Sequence, residues 1–147
     1  MNLPKKARLI EFPKICDSRG NLSFVEGGRH VPFSIRRVFY IYDVPGGETR
    51  GGHAHRECAE VIMAVSGSFD LIITNGEQES RVTLNRSNMA AYIPPGSWIT
   101  MPNFTTGTVL LALTSHEYEE SDYIRDYDEY LRYAASLPEE SRADVNF

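Results

Sequence analysis

Along the middle of the chain, residues that favour extended structure gather in short segments rich in Val, Ile, Phe, Tyr and Thr. Gly, Pro and Asn punctuate them about every 8 to 12 residues. This pattern predicts strands over Ala7–Phe12, Asn21–Glu26, Ser34–Asp43, Ala59–Val65, Phe69–Thr74, Glu79–Leu84, Ala90–Ile93, Trp98–Met101 and Thr108–Thr114. So many short strands at such spacing predict a sandwich or small barrel. Asn75-Gly76 tolerates positive φ at both positions and suits a two-residue type I′ turn joining two antiparallel strands. After Ser115 the pattern changes. Tyr123, Tyr127, Tyr130 and Leu131 recur at helical spacing, which predicts a C-terminal helix from about Asp122 to Ala135 with its tyrosine stripe packed on the barrel.

No linker, repeat or low-complexity stretch divides the 147 residues, so a single domain over 1–147 is expected. Hydrophobic residues are 41% and charged residues 24%, which excludes a disordered or fibrous chain. The net charge of −5 disfavours a nucleic-acid partner. Cys16 and Cys58 lack metal-knuckle spacing and offer no disulfide framework, and no apolar run is long enough for a leader or a membrane span. A cytoplasmic protein with no membrane partner is expected.

The stretch Gly47-Glu-Thr-Arg-Gly-Gly-His53-Ala-His55-Arg-Glu-Cys-Ala-Glu60-Val-Ile-Met-Ala-Val-Ser-Gly67 carries the candidate chemistry. On a strand, His53 and His55 share one face with Cα atoms about 6.6 Å apart. Glu60, on the next strand, can approach the same point. Two imidazoles and a carboxylate make either a facial metal set or an acid/base centre, since imidazole titrates near neutral pH. His30 and His116 lack such company and read as ordinary surface or loop residues.

The same stretch resembles the first cupin motif, G(X)5HXH(X)3,4E(X)6G, with Gly47, His53, His55, Glu60 and Gly67 in their places. Pro94-Pro95-Gly96-Ser97-Trp98-Ile99-Thr100-Met101-Pro102-Asn103 is similar to the second motif, except that Ile99 stands where a histidine ligand would be. The resemblance implies an all-β, cupin-type (jelly-roll) barrel with a short C-terminal helix. An isoleucine coordinates nothing, which weakens the metal reading, although His53, His55 and Glu60 could still hold a divalent ion.

A narrower resemblance runs from Asp17-Ser-Arg-Gly through Ile35-Arg-Arg-Val-Phe-Tyr, Arg50-Gly-Gly-His-Ala-His and Ser66-Gly to Asp122-Tyr-Ile-Arg-Asp-Tyr. Together these look like the cupin sugar-nucleotide 3,4-ketoisomerases. That family implies a homodimer acting on TDP-4-keto-6-deoxyglucose through an enediol, without metal or other cofactor, on the way to deoxyamino sugars of surface polysaccharides. It also implies that His53 and His55 are the acid/base centre. We expect His55 as the base, His53 as its polar partner and Tyr40 as a donor to the oxygen where charge develops. Arg19, Arg37 and Arg50 are the candidates for the two phosphates, because guanidinium matches phosphate oxygens bidentately. Glu60 and Trp98 complete the expected substrate contacts, Trp98 either facing the sugar or filling the barrel mouth. The alternatives are a metal-dependent cupin enzyme, such as a dioxygenase or sugar isomerase, using His53, His55 and Glu60, and a nucleotide-sugar-binding cupin without catalysis.

Overall fold

The computed structural model describes residues 2–147. Its strands are β1 (Arg8–Glu11), β2 (Lys14–Asp17), β3 (Gly20–Ser23), β4 (Arg37–Ile41), β5 (Arg50–His55), β6 (Glu60–Ser66), β7 (Phe69–Thr74), β8 (Glu79–Leu84), β9 (Met89–Ile93), β10 (Trp98–Met101), β11 (Val109–Thr114) and β12 (Tyr123–Ile124). One helix, α1, spans Tyr127–Ser136. Two antiparallel five-stranded sheets, in the orders β1-β9-β6-β11-β4 and β12-β5-β10-β7-β8, face each other as the expected cupin-type jelly-roll barrel, and β2 and β3 form a separate hairpin. Among the described residues, no helix is long and apolar enough to cross a membrane.

Successive side chains of a strand point to opposite faces, so the barrel sorts its residues by parity. Ile62, Ala64, Phe69, Leu71, Ile73, Ile99, Met101, Leu110 and Ala112 fill the space between the sheets. The outer face of the first sheet carries Val61, Met63, Tyr92 and Leu113, covered by Val31 and Phe33 from the segment before β4. Strand β6 lies under both layers, which is why its first five residues are all buried. Such a strand reads as a continuous apolar run, and Glu60 at its head is the exception.

Four expectations are corrected. The strand expected over Asn21–Glu26 ends at Ser23 and pairs with β2; beyond it the chain turns, the backbone N–H of Glu26 donating to His30 Nδ1 at 2.8 Å. The strand expected over Ser34–Asp43 is shortened to β4. The loop between β7 and β8 joins antiparallel strands as expected but spans residues 75–78: only Gly76 takes positive φ, and Asn75 Oδ1 accepts the N–H groups of Glu77 and Gln78 in place of a type I′ turn. The helix starts at Tyr127, capped by Asp126, whose carboxylate accepts the Glu129 N–H at 2.9 Å. The residues before it form a 3₁₀ turn and β12, which covers the open edge of β5.

Helix α1 packs against the outside of the second sheet through Tyr130 and Ala134, over Trp98, Ala54 and Ile124. The Tyr130 hydroxyl is directed at the carbonyls of Gly96 and Thr74, at 2.7 and 3.2 Å. Of the expected stripe only Tyr130 is fully buried, while Tyr127 and Leu131 remain exposed.

The last glycine of the first motif, Gly67, turns the chain from β6 into β7 at φ 76°, and a Cβ there would lie 2.7 Å from the Thr108 Cα. Backbone cannot yield as a flexible side chain can. Gly67→Ala is therefore expected to cost more than about 2 kcal/mol of stability, read as a lower midpoint in denaturant or thermal unfolding.

Candidate active site

Gly51 and Gly52 both take positive φ in β5, where the pairing with β10 slips between Ile99 and Thr100. This bulge sets the direction of the two residues that follow on the inner face, His53 and His55. Glu60, the first residue of β6, meets them from the other sheet. His55 Nε2 lies 2.8 Å and His53 Nε2 3.6 Å from Glu60 Oε1. These atoms are buried and none has an aligned hydrogen-bond partner, so the cluster is held at ion-pair distance with its polar capacity unspent. The two imidazoles pack edge to face, centroids 5.2 Å apart.

Behind His55 stands Asp122. Its Oδ2 meets His55 Nδ1 at 3.1 Å and the Cys58 N–H at 3.2 Å, and its Oδ1 accepts the Glu57 N–H at 2.7 Å. Burial opposes the charge on both His55 and Glu60. For His55 the Glu60 and Asp122 carboxylates outweigh burial and raise the imidazole above its ordinary value. For Glu60 the two imidazoles outweigh it and hold the carboxyl at about 2. His55 stands between two carboxylates, which favour its protonated form.

The cluster opens into a cavity of about 580 Å³ between the sheets, lined by His53 and Glu60 but not by His55. Phe39, Ile62, Ile99, Met101 and Leu110 give it apolar walls; Tyr123, Arg50 and Arg125 stand among its polar lining. Tyr123 pairs with His55 across β12 and β5, its ring 4.2 Å from His55 and 5.4 Å from His53. Arg125 stacks over Tyr123 at 4.1 Å and is gripped by Glu120 through two hydrogen bonds. A larger hollow of about 890 Å³ lies on the outer face of the first sheet, lined by Phe24, Val38, Met63 and Val65 among others. Its walls mix these apolar side chains with Lys14, Asn85, Arg86 and Asn88 and hold none of the histidine and carboxylate cluster, so the smaller cavity is the candidate site.

The structure brings together His53, His55, Glu60 and Arg50. Arg37 stands one layer back, its Nη2 donating to the Tyr123 hydroxyl at 3.4 Å and its guanidinium over Phe39. Tyr40, expected as a donor, borders the cavity, but it is 61% exposed and Phe39 takes the inward parity of β4. Two expected contacts are corrected. Trp98, expected at the substrate, lies under α1 against Tyr127 and Tyr130. Arg19 sits at the β2–β3 hairpin, paired with Asp17, and does not line the cavity. Asp122 and Tyr123 escape a strand-based reading because they belong to a segment read as helix, although both lie in the Asp122-Tyr-Ile-Arg-Asp-Tyr run that carried the family resemblance.

His53, His55 and Glu60 also place three donor atoms within 4.8 Å of one another, as do His55, Cys58 and Asp122. The first set could hold a divalent cation facially, and Ile99, opposite His53 in the pairing, adds no fourth ligand.

A jelly-roll barrel with paired imidazoles and a buried carboxylate opening on an inter-sheet cavity is the architecture of a cupin. Residues 5–135 match the model of the family described as FdtA: WxcM-like, C-terminal. The chain is 39% identical over 130 residues to the TDP-4-oxo-6-deoxy-alpha-D-glucose-3,4-oxoisomerase of Aneurinibacillus thermoaerophilus, covering 88% of this chain and 94% of that protein. Among solved structures it resembles QdtA, a sugar 3,4-ketoisomerase from Thermoanaerobacterium thermosaccharolyticum in complex with TDP, at 40% identity and TM-score 0.85, with 88% and 94% of the two chains covered. A mutant of the same enzyme in complex with TDP-4-keto-6-deoxyglucose matches at 39% identity and TM-score 0.85, covering 87% and 93%. The chain belongs to the WxcM-like family.

The charge pairing has a defined pH window. The Glu60 contribution to stability is complete above its ordinary value of 4.5 and is lost as pH falls towards about 2. The His55 contribution is complete below 6.5 and is lost as pH rises through its raised value, so the pair stabilises most between 4.5 and 6.5. Glu60→Gln removes the charge that holds His55 protonated, and NMR titration is expected to show His55 losing its proton at lower pH. Stability near neutral pH should fall by about 3 kcal/mol in denaturant unfolding.

Proposed function

We propose that the chain is a sugar-nucleotide 3,4-ketoisomerase converting TDP-4-keto-6-deoxyglucose to a TDP-3-keto-6-deoxyhexose, acting in the cytoplasm as a single domain over 1–147. The observation that carries this reading is a cavity-facing imidazole, His53, with no hydrogen-bond partner for Nε2, beside a phenol backed by an arginine.

The reaction needs one group to move a carbon-bound proton and another to serve two oxygens. His53 takes the C3 proton, and the electron pair of that bond forms the C3–C4 double bond while O4 accepts a proton from the Tyr123 hydroxyl. The enediol collapses as O3 returns a proton to Tyr123, the C3 carbonyl forms and His53 delivers its proton to C4. The Arg37 guanidinium at the Tyr123 oxygen stabilises phenolate in the interval. This reverses the roles expected of the two histidines. His55 lies outside the cavity lining with both ring nitrogens facing carboxylates, which suits it to hold Glu60 and His53 in place. Arg50, without an ion pair among the described residues, and Arg125 answer the diphosphate at the cavity wall.

The test is proton NMR of TDP-4-keto-6-deoxyglucose with the protein in deuterated buffer, with and without chelator. The expected result is a 3-keto sugar formed with or without chelator, carrying deuterium at C4 to the extent that the proton on His53 exchanges with solvent before delivery, with turnover falling about 10²- to 10⁴-fold in His53→Asn. Turnover that requires a divalent cation would transfer the site to the metal-dependent reading. Tight TDP-sugar binding without product would make the protein a binding module.

A homodimer is the second element of the proposal. Ile15, Leu22, Val38, Tyr40 and Val65 leave apolar surface exposed on the hairpin and the outer face of the first sheet, around the 890 Å³ hollow. A second copy seated there would cover this surface and give Arg19, at the hairpin tip, a route to the partner's substrate. Sedimentation equilibrium is expected to give twice the 16.6 kDa chain mass, and a monomer at micromolar concentration would remove the dimer.

A further inference from the structure

The turn between β5 and β6 carries donor atoms that the substrate cavity does not use. His55 presents Nε2 to Glu60 on the cavity side, while its other ring nitrogen, Nδ1, faces Asp122 Oδ2 at 3.1 Å. Cys58 follows His55 after two intervening residues, and its thiol is buried. A ring nitrogen of His55, the Cys58 sulfur and a carboxylate oxygen of Asp122 all lie within 4.8 Å of one another. The carboxylate is already fixed, since Oδ1 accepts the Glu57 N–H at 2.7 Å and Oδ2 the Cys58 N–H at 3.2 Å. The spacing of the two cysteines hid this grouping, because the partner of Cys58 is an imidazole and a distant carboxylate instead of a second thiol.

The three atoms suit one class of ligand. A tetrahedral zinc-type ion bonds nitrogen and oxygen at about 2.0 to 2.2 Å, which sets such a pair about 3.3 Å apart, close to the 3.1 Å between Nδ1 and Oδ2. The thiol closes its remaining distance by rotation about its single χ1 torsion. Glu60, 2.8 Å from Nε2, is the carboxylate that a metal-binding imidazole commonly holds on its far nitrogen. Burial and the Glu60 charge push the thiol up, so it keeps its proton until a cation displaces it. Access comes from a second cleft, of about 550 Å³, which Asp122 lines. There Asp122, Glu57, Glu117 and Glu119 face only two guanidiniums, Arg36 and Arg56, a balance that draws cations. The second cleft shares no lining residue with the substrate cavity.

We propose that His55 Nδ1, Cys58 and Asp122 form a binding site for a thiophilic divalent cation of the zinc class, entered from the second cleft. It is distinct from the His53, His55 and Glu60 set because it uses the other nitrogen of His55. The ion takes three protein ligands and a water from the cleft as its fourth. Binding releases to solvent the thiol proton and the proton between Nδ1 and Oδ2, while Nε2 keeps its proton towards Glu60 and no electron changes hands. The ion ties together the end of β5, the turn ahead of β6 and the segment leading into β12. This inference goes beyond the ketoisomerase reading and stands apart from it, since no step of that reaction passes through Nδ1.

The experiment titrates the full chain, stripped of metal by chelator and dialysed, with Co²⁺ in the absence of oxygen while the absorption spectrum is followed. Co²⁺ occupies zinc-type sites and reports a thiolate ligand through a sulfur-to-cobalt charge-transfer band. The wild-type protein is expected to develop this band to an endpoint of about one Co²⁺ per chain, and Zn²⁺, the stronger binder, to erase it. Cys58→Ala is expected to remove the band. Asp122→Asn, which keeps an oxygen acceptor for the Glu57 and Cys58 amides, is expected to weaken Co²⁺ binding at least about ten-fold. Cys16→Ala and His53→Asn are expected to retain the band, since Cys16 is the exposed thiol on the hairpin and His53 belongs to the other set. Absence of a sulfur band from the wild-type protein, or a band that survives Cys58→Ala or vanishes in Cys16→Ala or His53→Asn, would overturn the site. Asp122→Asn decides the matter if Cys58→Ala does not fold, because wild-type Co²⁺ affinity in that variant would overturn it as well.

Discussion

The constraint on which this molecule turns is a carboxylate buried inside an apolar barrel. Glu60 is only 2% exposed and heads the most enclosed strand, where an unpaired charge would cost several kcal/mol. It stays ionised because His55 supplies a proton-bearing partner at 2.8 Å. Burial opposes a charge on His55 as well, and Asp122 provides a second carboxylate that favours its protonated form. The segment carrying Asp122 must then lie against β5, which explains why the chain forms β12 there before it starts its helix. The outer layer built from Tyr130, Trp98 and Ile124 follows from that placement. One buried charge thus ties together both sheets and the C-terminal layer.

The division of labour between the two histidines has the same origin. They share a strand face and differ by two positions, yet one is enclosed by carboxylates and the other borders the cavity. Geometry, more than residue type, separates the imidazole that borders the cavity from the one that faces two carboxylates. The apolar Ile99 lies opposite His53 in the strand pairing, so the cavity wall is dry on that side and polar on the Tyr123 and Arg50 side. A dry wall strengthens the remaining electrostatic contacts.

Much of the fold was legible in the sequence because β-branched runs and turn residues recur at short spacing, and the motif from Gly47 to Gly67 placed His53, His55 and Glu60 together. Gly67 shows why that motif ends in glycine: the residue packs against the Thr108 backbone. Face parity was less legible. Phe39 and Tyr40 are both aromatic, and only the pairing of β4 with β11 decides that Phe39 turns inward. Trp98 sat in a motif beside the cavity residue Ile99 and took the opposite face for the same reason. The C-terminal tyrosines recur at helical spacing, which hid a two-residue strand, since edge pairing with β5 leaves no periodic trace in so short a segment. Arg19 sits on a hairpin that pairs with neither main sheet, so no barrel strand register directs it to the cavity.

Strand β12 has one more consequence. Asp122 and Tyr123 follow all the other strands of the two principal sheets in chain order, so nine of those ten strands precede the residues that complete the polar centre. During synthesis the cavity would form first as a hollow with an under-neutralised buried cluster. It would become a competent pocket only when the final segment zips onto β5. In that order of events, the docking of the C-terminal layer on β5 is what completes the pocket.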